Sequence, residues 1–408
     1  MQAFDKLRAG LPFEVWASPE PTVARIGERT YRDQLADTGH DVREEDLDLL
    51  AGLGVAAARY PVLWERSAPE SPDDVDLRWA TRRLGGLLAR GVEPIVTLLH
   101  HGGGPAYTSL IDPAFPELFA RYAGAVAAAF PWVRRWTPIN EPLTTARFST
   151  LYGFWYPHAT DDATFGRAIV NEALAILLAM EAIRKVAPHA EHLITEDLQG
   201  FAALDDGARA YTEHKRERSF LSIELLMGRL RPGHALYRYL TRVACVPRER
   251  LERIERHARP PELVGWNYYP YSERALGTRA DGSFFNEAAF EHGKPFAARA
   301  LLRAADERLG LPFGLSEVHR SGPEAERVAW LEERTDDLLA LAAEARPVRM
   351  LGAWAAFGLV DWDSLLRERR NHREDGVFSF AAAGETPGET AVSAAVRTLA
   401  MRGSVPAG

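Results

Sequence analysis

Residues 134–142 read RRWTPINEP. A β-prone apolar run closes on an amide, Asn140, and a carboxylate, Glu141, and Pro142 restricts the backbone of that pair. Such a pair either caps a helix or is carried by a strand to a substrate, where the amide meets a hydroxyl and the carboxyl donates a proton. Two other β-prone runs end near carboxylates: LITED holds Glu196 and GLSEV holds Glu317. Two carboxylates on opposite walls of a cleft are what glycoside hydrolysis requires. One protonates the leaving oxygen while the other attacks the anomeric carbon or activates water.

The elements that would position these groups alternate along the chain. Eight runs rich in β-formers are expected as strands: 13–18, 55–64, 93–100, 133–140, 192–197, 263–269, 312–318 and 351–358. Helix-period stretches lie between or after them at 43–52, 76–90, 116–129, 164–186, 323–345 and 388–401. This alternation predicts the α/β class and a single (β/α)8 TIM barrel forming one domain over residues 1–408. A doubly wound open sheet fits less well, because FEVWASPEPTV after the first strand lacks a glycine-rich phosphate turn. Extended loops are expected after strands four, five, six and eight, including 198–262, 271–295 and 361–376.

In such a barrel the C-terminal strand ends form the active-site face. They supply Ser18, Trp64, His100, Asn140, Glu141, Glu196, Asn267, Tyr268, Tyr269, Glu317 and Trp354, a lining of carboxylates, amides and indoles suited to a sugar. Strands four and five are neighbours, whereas strands four and seven face each other across the mouth. Attack from the face opposite the leaving group therefore selects Glu317 over Glu196 as partner to Glu141.

Composition excludes several alternatives. A net charge of −8 with scattered basic residues argues against nucleic acid as partner. Cys245 is the only cysteine, so no intrachain disulfide or thiolate metal cluster is possible, and it reads as a small buried hydrophobe. His100 and His101 are adjacent on one strand and lack a third ligand, so no metal and no other cofactor is expected. His189 and His192 read as surface residues, and Trp132 and Trp136 as core. The N-terminal MQAFDKLRAG has no apolar leader core, and no run approaches about 18 uninterrupted apolar residues. A cytoplasmic protein with no membrane partner is expected.

The motifs together resemble glycoside hydrolase family 1, the β-glucosidase-like branch of a retaining-glycosidase barrel clan. FARYAGAVAAAFPWVRRWTPINEP is similar to that family's third helix and fourth strand, and LVGWNYYPY to its sixth strand. The resemblance implies Glu141 as acid/base, Glu317 as nucleophile and Asn140 as ligand to the sugar 2-hydroxyl. It places Arg59 and Tyr269 beside the nucleophile, His100 at the glycone and Trp354 as stacking indole. Asn267, Tyr268, Asp361, Trp362 and, in the loop LYGFWYPH, Trp155 complete the implied substrate contacts. Departures are visible as well. The usual Thr-Glu-Asn-Gly is Ser316-Glu317-Val318-His319, the indole after the strand-three histidine is His101, and the N-terminal glutamine has no counterpart beyond nearby Glu20. A small β-glycoside whose glycone is not plain glucose is therefore expected, cleaved by double displacement. Transglycosylation, or a non-catalytic sugar-binding barrel, are the alternative readings. Chains of this shape also occur fused to a dTDP-4-dehydrorhamnose-reductase-like domain, which implies association with a sugar-nucleotide reductase.

Overall fold

The computed structural model describes residues 10–403. The N-terminal run read for a leader, residues 1–9, and residues 404–408 lie outside that part. Eight parallel strands close into a barrel: β1 (Glu14–Ala17), β2 (Ala57–Pro61), β3 (Glu93–His100), β4 (Arg135–Asn140), β5 (Glu191–Asp197), β6 (Leu263–Tyr268), β7 (Phe313–Val318) and β8 (Val348–Ala353). Each strand pairs with its sequence neighbour, and β8 closes on β1 through Glu14↔Met350 to Ala17↔Ala353. The expected α/β barrel is the observed fold.

The helices are α1 (Asp46–Gly52), α2 (Arg78–Ala89), α3 (Phe115–Ala129), α4 (Pro142–Thr150), α5 (Asp162–Val186), α6 (Arg209–Arg218), α7 (Leu221–Leu226), α8 (Arg248–His257), α9 (Ala298–Leu309), α10 (Glu324–Ala343) and α11 (Ala391–Gly403), with one-turn helices between. The strands are buried on both faces, inside by the barrel filling and outside by this helical coat, which is why they are continuous apolar runs. The lower interior is filled by Trp16, Ala57, Ile95, Leu193 and Met350. Trp16 meets the small Ala57 directly across the β1–β2 register, a large-against-small fit that fills the tapered interior. Below it Arg135 lies 5.0 Å from the Trp16 ring and pairs with Glu14 and Glu93 at 2.8 and 2.6 Å, closing the N-terminal end.

Several expectations need correction. The last strand spans Val348–Ala353 rather than 351–358, so Trp354 follows it instead of lying within it. Helix α5 contradicts no expectation: Arg167, Asn171 and Glu172 interrupt its apolar run, and although it is long and apolar enough to cross a membrane by length and composition, 78% of its most apolar window is buried within the protein. Trp132 is 41% exposed, because it precedes β4 rather than entering it. Cys245 is exposed, with φ of 51°, between the helical turn Tyr239–Val243 and α8, and His192 is buried within β5.

The long loops all leave the C-terminal face. Gly200–Ala203, Glu273–Thr278 and Phe284–Ala288 join in a small sheet above β5 and β6. Val23–Arg25 pairs with Tyr31–Asp33 after β1, and Leu359–Val360 with Arg373–Glu374 after β8.

Candidate active site

Strand parity decides which side chains enter the barrel mouth, because alternate residues point to opposite faces. In β5, Leu193 joins the interior plug and Thr195 meets Arg59 and Asn140, so Asp197 also faces inward and Glu196 outward. In β7 the alternation is interrupted. Leu315 pairs with Trp266 and Glu317 with Asn267, which leaves Ser316 as an extra residue. Such a bulge re-aims the side chain that follows it. Glycines make room for it: a Cβ on Gly265 would stand 2.6 Å from Ser316 Oγ, and one on Gly352 would stand 2.2 Å from Ser316 O.

Glu317 is thereby buried in the mouth, 2% exposed. Arg59 donates Nη2–H to its Oε1, and the Tyr269 hydroxyl donates to Oε2. The Arg59 guanidinium also donates to Asn140 Oδ1 and lies 4.9 Å from the Trp354 ring centre. Asn140 Oδ1 accepts from Thr195 Oγ1 at 2.8 Å, while its Nδ2 lies 3.1 Å from His100 Nε2.

Glu141 follows β4 immediately, with φ 45° and ψ 58°, in the left-handed region. The residue before a proline is normally extended, so this backbone is an outlier set by its surroundings. Glu141 holds the N-cap position of α4 without capping it. Its Oε1 instead accepts from Asn267 Nδ2 at 2.6 Å, and Asn267 Oδ1 accepts from Ser316 Oγ at 2.6 Å. The bulge residue beside Glu317 thus orients the amide that holds Glu141. His101 Nε2 lies 3.9 Å from Glu141 Oε2.

Charge placement separates the two carboxyls. Burial pushes Glu141 well above the ordinary carboxylate value, and the nearby Asp197 and Glu317 charges add to it. Burial raises Glu317 too, but Arg59 and the Tyr269 hydrogen bond oppose that rise. Because only Glu317 touches a guanidinium, ionisation of the pair begins there and the remaining proton sits on Glu141.

A family model for glycosyl hydrolase family 1 matches residues 14–221, just over half of the chain. The chain belongs to glycosyl hydrolase family 1. Beta-glucosidase 34 of Oryza sativa subsp. japonica is 31% identical over 140 residues, 32% of this chain and 27% of that relative. Beta-glucosidase A of Thermotoga maritima is 30% identical over 154 residues, 35% of this chain and 33% of that relative. These matches therefore span only about a third or less of the length of those two relatives. A solved structure, the Beta-glucosidase from Thermotoga maritima in complex with glucoimidazole, superposes with a TM-score of 0.81 at 16% identity, covering 98% of this chain and 100% of that one, a likeness of fold.

Within this family 1 barrel the expected residues divide. Glu141, Glu317, Arg59, Asn140, Asn267, Tyr269 and His100 are joined by the contacts above. Trp354 is 3% exposed and stacks on His100 at 5.7 Å. Trp362 is half-buried, 5.7 Å from the His101 ring. Tyr268, expected at the substrate, points outward by parity: its hydroxyl donates to Glu273 and its ring stacks on Trp330 of α10 at 5.4 Å. Asp361 is committed elsewhere, pairing with Arg32 at 2.8 Å and accepting the backbone N–H of His372 at 2.7 Å. Trp155 is 1% exposed, and its Nε1–H donates to Leu365 O at 2.8 Å, so it backs the wall behind His101 rather than presenting a free face.

Three residues of the mouth escaped the sequence reading as site members. Glu20 accepts from Thr22 N at 2.8 Å and Trp354 Nε1 at 3.2 Å, with Oε1 3.9 Å from His100. Burial, then the Glu317 charge, pushes Glu20 up to about 7. His101 is buried and pushed down to about 3 by burial and then by Arg59. Asp197 was passed over for Glu196, although parity from Leu193 was a usable signal.

Glu196 lies behind the wall. Its Oε1 accepts from Leu143 N at 2.9 Å and Ser222 Oγ at 2.5 Å, while Oε2 is buried without a donor among the described residues. Burial pushes it from 4.5 to about 7. A carboxyl raised on folding contributes stability that is fully present below the unfolded value and lost as pH rises through the folded one. This group is therefore expected to remove about 3 kcal/mol of stability between about pH 4.5 and about pH 7. Glu196→Gln keeps the accepting oxygen and abolishes that loss. Urea unfolding at about pH 5 and about pH 8 checks this: the variant should gain on the native protein by that amount at the higher pH.

Proposed function

We propose that the protein is a retaining β-glycoside hydrolase, with Glu317 as nucleophile and Glu141 as acid/base. The observation that carries this reading is the asymmetric treatment of two buried carboxyls in one cleft. Glu317 is gripped by Arg59 and Tyr269, which favour its anion, whereas Glu141 lies among anions that favour its acid form. The β-glucosidases among its family 1 relatives support the reaction class.

In the first step a Glu317 oxygen attacks the anomeric carbon as the glycosidic C–O bond breaks, and the Glu141 proton passes to the leaving oxygen. In the second step Glu141, now a carboxylate, takes a proton from water as that water displaces Glu317 from the sugar. Asn267 holds Glu141 through both protonation states, since its amide donates to the same oxygen in each. Arg59 spans Glu317 and Asn140 and so ties the nucleophile to the amide proposed to bind the 2-hydroxyl. The sugar is proposed to be other than plain glucose, since Glu20, with a value about 7, places an ionisable group against His100 and Trp354.

A panel of 2-deoxy-2-fluoro glycosyl fluorides tests the reading. These reagents form the covalent glycosyl-enzyme quickly and release it slowly. Peptide mass analysis should find the sugar on Glu317. Label on another residue, or on none across the panel, would overturn the assignment.

A further inference from the structure

Beyond Glu141, on the side away from the residues around Glu20 and Trp354, lies a cluster of cations that the hydrolytic mechanism does not use. Arg147 is on α4, six positions after Glu141, and Lys215 and Arg218 are on α6. All three are buried, at 7%, 3% and 5% exposure, and among the described residues none has a carboxylate within ion-pairing distance. Buried cations are ordinarily paired. Here, among the described residues, Lys215 Nζ donates only to the Tyr152 hydroxyl, at 3.1 Å, and Arg147 donates to Gln199 Oε1 and Thr144 Oγ1, both at 3.0 Å, and to Leu143 O at 3.3 Å, all of them neutral acceptors.

Two donors in the cluster are idle. Arg218 Nη2 and Gln199 Nε2 are both buried with no hydrogen-bond partner among the described residues. A buried donor left unmade costs more than a made one returns, so a site that keeps two of them beside three cations is built for an acceptor. Tyr152 reports the same field. Although burial acts to raise it, Arg147, Lys215 and Arg218 pull its phenol down to about 7. The nearby anions are already engaged: Asp197 accepts from Ser272 Oγ, and Asp162 accepts from the Tyr239 hydroxyl.

The position gives the cluster its meaning. Asp197 is the charge that acts most strongly on Glu141, and Arg147 in turn acts on Asp197, so the cluster adjoins the acid/base side of the mouth. If Glu141 protonates the leaving oxygen, the leaving group must extend away from Glu317, over the loops that follow β4, β5 and β6. Those loops carry Arg147, Tyr152, Gln199, Lys215 and Arg218.

We propose that this cluster is an anion-binding subsite for the leaving group, so that the substrate carries a carboxylate or a phosphate monoester on its aglycone, met by Arg147, Lys215 and Arg218. The proposal rests on the hydrolase reading for its orientation, though the affinity for an anion does not. Charge-assisted pairing of this kind fixes the leaving group over Glu141 and discriminates against neutral aglycones.

The test uses aryl glycosides of one sugar whose nitrophenyl leaving group bears no charge, a carboxylate or a phosphate monoester. In the native protein kcat/KM for a charged leaving group should exceed that for the neutral one by about tenfold or more. The ratio should fall towards one in Arg218→Gln and in Lys215→Met, with thermal melts confirming that each variant is folded. Whichever anion gives the larger ratio identifies the source. A ratio near one in the native protein, or one that survives both substitutions, overturns the proposal. If no glycoside is cleaved, the hydrolase reading has failed and calorimetric titration with benzoate and with inorganic phosphate decides the subsite separately. Saturable binding that Arg218→Gln abolishes upholds it, and absence of saturable binding overturns it.

Discussion

Glu317→Gln is expected to lower kcat on an activated aryl β-glycoside by about 10⁴-fold or more, with little effect on folding. The amide keeps the shape of the carboxyl and can still accept from Arg59, but it cannot form the covalent ester. The variant should melt close to the native protein, because a buried carboxyl raised by its surroundings is replaced by a neutral group of the same volume. Removing the side chain altogether in Glu317→Gly gives a sharper version. Azide should then restore turnover and yield a glycosyl azide of inverted configuration, since the small anion fills the vacated volume. Retention of hydrolysis in Glu317→Gln, or rescue with retained configuration, would rule out Glu317 as nucleophile.

The second large effect belongs to Glu141. Replacement by Gln should cost about 10²–10⁴-fold on a glycoside with a poor leaving group, and much less in the first step with an activated one. The difference arises because a good leaving group departs without a proton. The pH profile carries the independent check. On the proposed mechanism activity requires Glu141 as acid and Glu317 as anion, so it should fall on the acid side as Glu317 takes a proton. On the alkaline side it falls as pH passes the raised value of Glu141. In Glu141→Gln the alkaline limb should vanish while the acid limb stays. An unchanged alkaline limb would assign the proton donor elsewhere, with Glu20 and Asp197 the candidates as further raised carboxyls of the mouth.

Much of this architecture was legible from residue types and spacing. Repeated β-rich runs separated by helix-period stretches imply a barrel, and strand ends then name the mouth. Parity within a strand carries further: with Leu193 inside, Asp197 must be inside and Glu196 outside, and with Asn267 inside, Tyr268 must be outside. The same rule fails where a strand gains a residue. Nothing in GLSEV announces that Ser316 bulges, and without that shift Glu317 and the Ser316–Asn267–Glu141 connection cannot be placed by counting. Asp361 was unreadable for another reason. Its partner Arg32 lies 329 positions away in sequence, and no local pattern records a pairing between two loops at opposite ends of the chain. The burial of Arg147, Lys215 and Arg218 without a carboxylate has no local sequence signature, because α4 and α6, which carry them, follow different strands of the barrel.

The left-handed backbone of Glu141 has a bearing on how this protein responds to selection. A non-glycine residue held there costs on the order of 1–3 kcal/mol, and Asn or Gly at the same place would relax it. Folding alone thus disfavours the side chain on which the proposed chemistry depends. A library screened only for heat resistance or soluble yield should drift towards Gly at this position and fill with robust, inert barrels. Any effort to stabilise the scaffold must hold residue 141 under an activity readout from the first round.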